Sequence, residues 1–334
     1  MKTKINLLLI LSSLTFVSCG TNKLTKVGNG KVAEKVYTVG DATGLSISNI
    51  FIEKESKKSR VKVKIEKGEQ KIVIKTDKNV LDSFRLSIDE KSHSLVIDSI
   101  DKNAYCVDNI EIGIYGYKFD TINLSDCSTN INDNCFSSEN LSLTSYASDI
   151  TFNEIKTSNV SFKSRGASNI KVNTLEALIF KGENYEAGVL NVGDIDVSNG
   201  EISLYAGSHG TFNKAKFNDL TLRESSSSNA NFENIEISRK GKFEVSDSSK
   251  ITLKGTSNVT ILDVSNASIC DGIDFGIKSG SNIKSIENSR VDIRIDGNDV
   301  SAVVNSFSQL NYKGTVITSS RTSSDSVIRQ IDNI

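Results

Sequence analysis

Ala147-Ser148-Asp149-Ile150-Thr151-Phe152 and, twenty residues on, Ala167-Ser168-Asn169-Ile170-Lys171-Val172 decide the fold. Each stretch has two small residues, a variable one, an apolar anchor, and a second apolar residue two places later. The unit returns as Ala187-Gly188-Val189-Leu190, Gly207-Ser208-His209-Gly210, Ser227-Ser228-Asn229-Ala230, Ser248-Ser249-Lys250-Ile251 and Ala267-Ser268-Ile269-Cys270. With Ile131 before them and Val291 and Leu310 after, ten anchors follow one another at intervals of 19 to 21 residues. A period that regular marks a solenoid, whose units bury their apolar faces only by stacking on one another.

Within each unit the pattern is that of strands. Leu175 pairs with Ala177, Ile195 with Val197, Val160 with Phe162 and Leu220 with Leu222, each pair separated by one polar residue. That period of two belongs to a strand with one buried face. Asn153, Asn173, Gly193 and Asn213 supply bends between pairs. The expected fold is all-β: a parallel β-solenoid of about ten 20-residue coils over residues 119–314, each coil three short strands. At about 4.8 Å per coil the rod is about 48 Å long. Proline, which would interrupt the ladders, is absent from the chain. Residues 41–118 read as a β-rich N-terminal part that caps the first coil. In it, residues 61–65 and 72–74 suit a hairpin turning at Gly68-Glu69-Gln70, and residues 84–88 and 95–97 suit another. Residues 315–334 are expected to cap the far end, because an open strand edge invites aggregation.

Lys2 and Lys4 precede a short apolar run from Ile5 to Val17. The run falls short of the roughly 20 residues a bilayer span needs and suits a secretory signal. Phe16-Val17-Ser18-Cys19-Gly20 resembles a lipobox, with Phe16 where leucine is usual. Residues 1–18 are therefore expected to be a lipoprotein signal peptide, Cys19 the lipid-attachment residue, and residues 19–40 the lipidated tether that makes the membrane a partner.

Without residues 1–18 the net charge is −3, divided as +4 over residues 20–118 and −7 over residues 119–334. An acidic main body excludes a nucleic-acid role. Export permits disulfides, and Cys106, Cys127, Cys135 and Cys270 allow three pairings. Their spacing matches no zinc site, and buried thiols are the simpler reading.

Taken in order, the lipoprotein signal, Gly68-Glu69-Gln70-Lys71-Ile72-Val73-Ile74, Asn79-Val80-Leu81, Leu95-Val96-Ile97, the repeated units and Leu310-Asn311-Tyr312-Lys313-Gly314 resemble the GIN head-domain family of auto-transporter adhesins. That family is common in Bacteroidetes, and the resemblance covers roughly residues 45–320. Thr315 stands where a proline often follows the closing glycine. The resemblance implies a β-helical exported body with an adhesive or cell-envelope role and no established active site.

Among chemistry-bearing residues, Lys156, Glu176, Asp196, Lys216 and Glu236 fall six places past their anchors, in one outward column. Glu176 and Asp196 would sit about 5 Å apart, near the separation of a retaining glycosidase pair. A solvated charge ladder accounts for the column more simply. His209 fills a variable position of the repeat and reads as one more exposed polar residue. No nucleophile elbow, phosphate loop or zinc-protease motif is present. The expected function is that of a non-catalytic cell-envelope lipoprotein without a cofactor, binding a glycan or protein as an adhesin or serving as a spacer. The alternative is a polysaccharide-processing β-helix enzyme, a lyase or glycosidase, which requires acids and bases converging on one groove. Lys23 and Lys26 follow Cys19, and no acid precedes Glu34. Surface-displayed lipoproteins often carry an acidic cluster there, so the expected location is the outer membrane with the body facing the periplasm.

Overall fold

The computed structural model describes residues 25–54, 57–100, 104–132, 135–278 and 280–331; Cys19 and the expected signal peptide, residues 1–18, lie outside the described residues. The described elements are strands apart from one 3-10 turn, Leu81–Ser83. From Cys127 to Gln330 every strand pairing is parallel, and the coils stack into a β-solenoid of about ten turns.

The anchors stack as the repeat requires. Ile150, Ile170, Leu190, Gly210, Ala230, Ile251, Cys270, Val291 and Leu310 are successive register partners, and all are buried. The first anchor lies two residues before the expected Ile131. Thr129, not Ile131, pairs with Ile150, while Ile131 pairs with Phe152. Both side chains point inward because they are two apart, and the apolar one drew the anchor assignment although the polar one holds the register.

The coils are also more continuous than three short strands. Asn169–Asn184, Val189–Tyr205, His209–Ser225 and Asn229–Val245 each run as one bent strand of 16 or 17 residues around all three faces. The hydrogen-bonded ladder passes the bends at Asn173 and Leu178 without stopping. Where the spacing departs from 20, the extra residue is absorbed at such a bend, as between Ile237 and Lys240.

Besides stopping at the second bend in the coils of residues 149–165, 269–285 and 290–304, the ladder breaks at the third corner. There two successive residues take positive φ: Glu186 with Ala187, Ser226 with Ser227, Asp247 with Ser248, and Asn266 with Ala267. Bulky side chains pay for that conformation, and Ala, Ser, Asn and Asp fill most of these positions, with Glu186, Glu287 and the exposed Phe307 as exceptions. The second small residue of most units is the buried serine that follows, with Gly188 in its place in one coil. Ser168 Oγ accepts from the Ser148 backbone N–H at 3.3 Å and donates to the Arg165 carbonyl at 2.8 Å. Ser249, Ser268 and Ser308 accept in the same way from the residue one coil below. The serine column thus supplies partners for backbone groups that the turn leaves without a ladder.

Inside, Phe152, Phe162, Phe180, Phe212, Phe232, Phe243 and Phe275 are fully buried, with the Phe212 and Phe232 rings stacked at 4.5 Å. Each such side chain contributes about 1.5–3 kcal/mol of burial free energy. Cys127, Cys135 and Cys270 are buried in this interior, and all four described cysteines are thiols without a disulfide among them. Burial pushes the Cys127 thiol up to about 12.

At the N-terminal end the parallel stacking starts earlier than residue 119. Gly44–Ser48 pairs in parallel with Ser94–Ser99 and Thr121–Ser125, and Val61–Glu66 pairs with Cys127–Ile131. The expected hairpin between residues 61–65 and 72–74 is not formed. Glu111–Tyr115 lies between its two arms, parallel to Val61–Glu66 and antiparallel to Lys71–Asp77. A local turn signal cannot report a third strand arriving from forty residues away. The second expected hairpin is present, Phe84–Asp89 antiparallel to Ser94–Ser99. At the other end, Ser319–Thr322 and Val327–Gln330 continue the parallel ladder on Val300–Val304 and Gln309–Gly314.

Candidate functional site

Each coil turns a first face bearing the anchor strand, a second face after the Asn173-type bend, and a third face after the Leu178-type bend. On the second face Lys156, Glu176, Asp196, Lys216 and Glu236 are successive register partners, as expected. Lys156 Nζ lies 2.7 Å from Glu176, and Lys214 Nζ lies 3.9 Å from Asp194. Glu176 and Asp196 edge a shallow depression of about 290 Å³ that Lys214 and Lys216 share. Asp196 is exposed and Glu176 half-buried. Lysines beside each acid make this a charge ladder in water, where such pairs contribute little. His209 is exposed on the first face, between Val189 and Asn229. No group of three or more metal-ligating side chains occurs among the described residues.

The third face carries the residues that motif reading missed. Tyr146 and Arg165 are register partners, and Tyr185 and Tyr205 continue the column on the next two coils. The Tyr185 and Tyr205 rings stack with centroids 5.1 Å apart and planes 22° apart. The Arg165 guanidinium covers the Tyr185 ring at 5.4 Å. Tyr146 lies against Gly166, where any Cβ would press into its ring, and leaves 53% of its surface in water. The result is an outward ridge of three phenols and one guanidinium, rising one rung per coil.

A strip of fixed charges runs beside the ridge. Lys181 Nζ lies 2.9 Å from Glu183, and Lys163 lies 3.7 Å from it. Arg223 bridges Glu201 at 2.5 Å and Glu244 at 3.0 Å, while Lys242 holds Glu244 at 2.5 Å. The Lys181 hydrogen bond holds the Glu183 carboxyl below its ordinary range, and Lys242 does the same for Glu244. Aromatic rings beside charged groups already fixed by their neighbours form a surface that binds without first ordering its side chains. The signal was present in the sequence. Residues 146, 165, 185 and 205 step by the repeat period, yet they lie outside the anchor unit and surface only when whole coils are aligned.

Fold and surface together define a β-solenoid rod with a ridge of tyrosine and arginine side chains on one side. A family model described as "Putative auto-transporter adhesin, head GIN domain" matches residues 54–226, just over half of the chain, and the protein belongs to that family. Among solved structures, one described as a putative adhesin from Parabacteroides distasonis is 13% identical, with TM-score 0.33, covering 92% of this chain and 100% of its own. Another, described as a putative lipid binding protein from the same species, is 14% identical with TM-score 0.32, covering 92% of this chain and 100% of its own. A third, described as a putative adhesin from Parabacteroides merdae, is 13% identical with TM-score 0.31, covering 92% of this chain and 99% of its own. No curated protein matches the sequence. No helix among the described residues is long and apolar enough to cross a membrane.

Proposed function

We propose that this protein is a non-catalytic cell-envelope lipoprotein, anchored through Cys19, whose solenoid binds a glycan or protein ligand along the third face. The Tyr146–Arg165–Tyr185–Tyr205 ridge carries this reading: aromatic and arginine side chains dominate binding energy at recognition surfaces, and here they are held in register by the backbone. The second-face carboxylates favour no catalytic reading, since lysines flank them and water reaches them.

A glycan and matrix-protein binding screen on the parent protein identifies ligands, and the variant Tyr146→Ser/Tyr185→Ser/Tyr205→Ser then tests the ridge. Loss of affinity by roughly tenfold per tyrosine is expected. Undiminished binding of every ligand found, with the fold intact by circular dichroism, rejects the ridge as the site.

A further inference from the structure

The described chain enters the fold at Thr25–Val27, paired in parallel with Ala104–Cys106. Gly28 then packs against Asp77, at the end of the strand Lys71–Asp77. Val32–Tyr37 follows as an edge strand, antiparallel to Lys71–Asp77, with Glu111–Tyr115 and Val61–Glu66 next in the same sheet. Ile72, Ile74, Ile112, Ile114, Val63 and Ile65 point into the core. Strand alternation therefore turns Val32, Val36 and Val73 outward together with Lys62, Lys64, Lys71 and Lys75.

Two features of this outer face are unusual for a surface in water. Val32 and Val36 are 65% and 55% exposed on an edge strand whose only partner among the described residues is Lys71–Asp77. Beside them Gly113 leaves a depression of about 410 Å³, edged by Lys62, Lys64 and Lys75 together with Glu34 and Glu111, and walled by Tyr115. Lys64 and Lys75 make no ion pair with any described residue, and Lys62 reaches Glu111 only at 3.9 Å. Glu34, Glu66, Glu111 and the buried Asp77, register partner of Val32, are acids on this face. Exposed valines among lysines, around a cleft that admits an anionic group, are the composition of a surface that lies in a lipid headgroup layer.

We propose that this face rests on the membrane, with the valines entering the headgroup boundary and the lysines meeting phosphate-bearing headgroups. The chain itself names the occupant. Five residues lie between Cys19 and Thr25, six Cα-to-Cα steps that span at most about 21 Å, so an anchor at Cys19 delivers this end of the rod to the bilayer. At that distance contact is an intramolecular step with a high effective concentration. The inference relies on the anchored reading for proximity but not for affinity, and the test separates the two.

The full-length chain carrying Cys19→Ala, which cannot be lipidated there, is co-sedimented with vesicles of phosphatidylcholine alone and of phosphatidylcholine mixed with phosphatidylglycerol. Binding is expected to be stronger to the anionic vesicles and to weaken with salt. The variant Lys64→Gln/Lys75→Gln should lose roughly fivefold per lysine on the anionic vesicles, and Val32→Glu/Val36→Glu should lose binding on both. Lys171→Gln/Lys250→Gln, exposed on the first face of the solenoid, should leave vesicle binding unchanged. Equal sedimentation of the parent and both N-terminal variants overturns the proposal, because the signal peptide common to all would then account for binding. So does release from the vesicles by inorganic phosphate at constant ionic strength, which marks a small-anion site. Conversion of a dimer to a monomer by Val32→Glu/Val36→Glu, with vesicle binding unchanged, assigns the face instead to a second copy and likewise overturns it. Failure of lipid attachment at Cys19 leaves all these measurements valid.

Discussion

At the scale of single residues the solenoid interior is not uniformly apolar, and one exception has a measurable consequence. Glu224 sits between Leu204 and Val245 in an inward column, is 1% exposed, and neither carboxyl oxygen has a hydrogen-bond partner. Burial without a partner raises its pKa well above the usual carboxylate range. The unfolded chain ionises this group near the ordinary value, so between the unfolded and the folded pKa folding takes up a proton. Stability contributed by the neutral carboxyl is therefore full below the unfolded pKa and is lost as pH rises toward the folded one. Glu224→Leu, which matches the neighbouring rungs, is expected to stabilise the protein by about 1–3 kcal/mol at neutral pH. Denaturant melts at pH 8 and near pH 4.5 check this: the variant's advantage should shrink on acidification, and an equal advantage at both pH values would show that ionisation plays no part.

At the scale of the element, the corner rather than the strand is the specified part of each coil. Two successive residues of positive φ followed by a buried serine recur where the chain turns from the third face to the first. Ser168→Ala removes the acceptor of the buried Ser148 N–H and the donor to the Arg165 carbonyl, which keeps the Ala147 N–H. The expected cost is about 1–3 kcal/mol, read as a lower unfolding midpoint with an unchanged denaturant slope. Ser161→Ala, on an outward strand position, is the control and should be near neutral. Had the serines been conserved in type merely because they are small, the two variants would melt alike.

At the scale of the whole molecule, the tether and the rod pose one question with two measurements. If Cys19 carries lipid, Cys19→Ala moves the protein from the detergent-soluble membrane fraction toward the soluble one, and labelled fatty acid no longer attaches. Proteinase K on intact cells then locates the body. Protection alongside a periplasmic control is expected from the lysines after Cys19, whereas digestion while that control survives places the rod outside the cell. Either location leaves the third-face ridge and the N-terminal outer face pointing in different directions, so binding a ligand and resting on lipid are compatible.

The repeat period, the inward positions and the parallel architecture were determined by the sequence alone. A twenty-residue spacing with apolar residues two apart has one economical solution, in which like stacks on like. Ile150, Ile170, Leu190, Ile251, Val291 and Leu310 could be placed in one column without coordinates for that reason. Three things waited for the tertiary structure. The register of the first coil did, because Thr129 and Ile131 both fit the period of two. So did the strand Glu111–Tyr115 inserted between residues 61–66 and 71–77, because a long-range pairing leaves no trace in a local turn. The ridge of Tyr146, Arg165, Tyr185 and Tyr205 was decided there too. Outward residues answer to no packing constraint, so the sequence gives their spacing, and only the stacked coils bring the rings within 5.1 Å and set the guanidinium over a phenol.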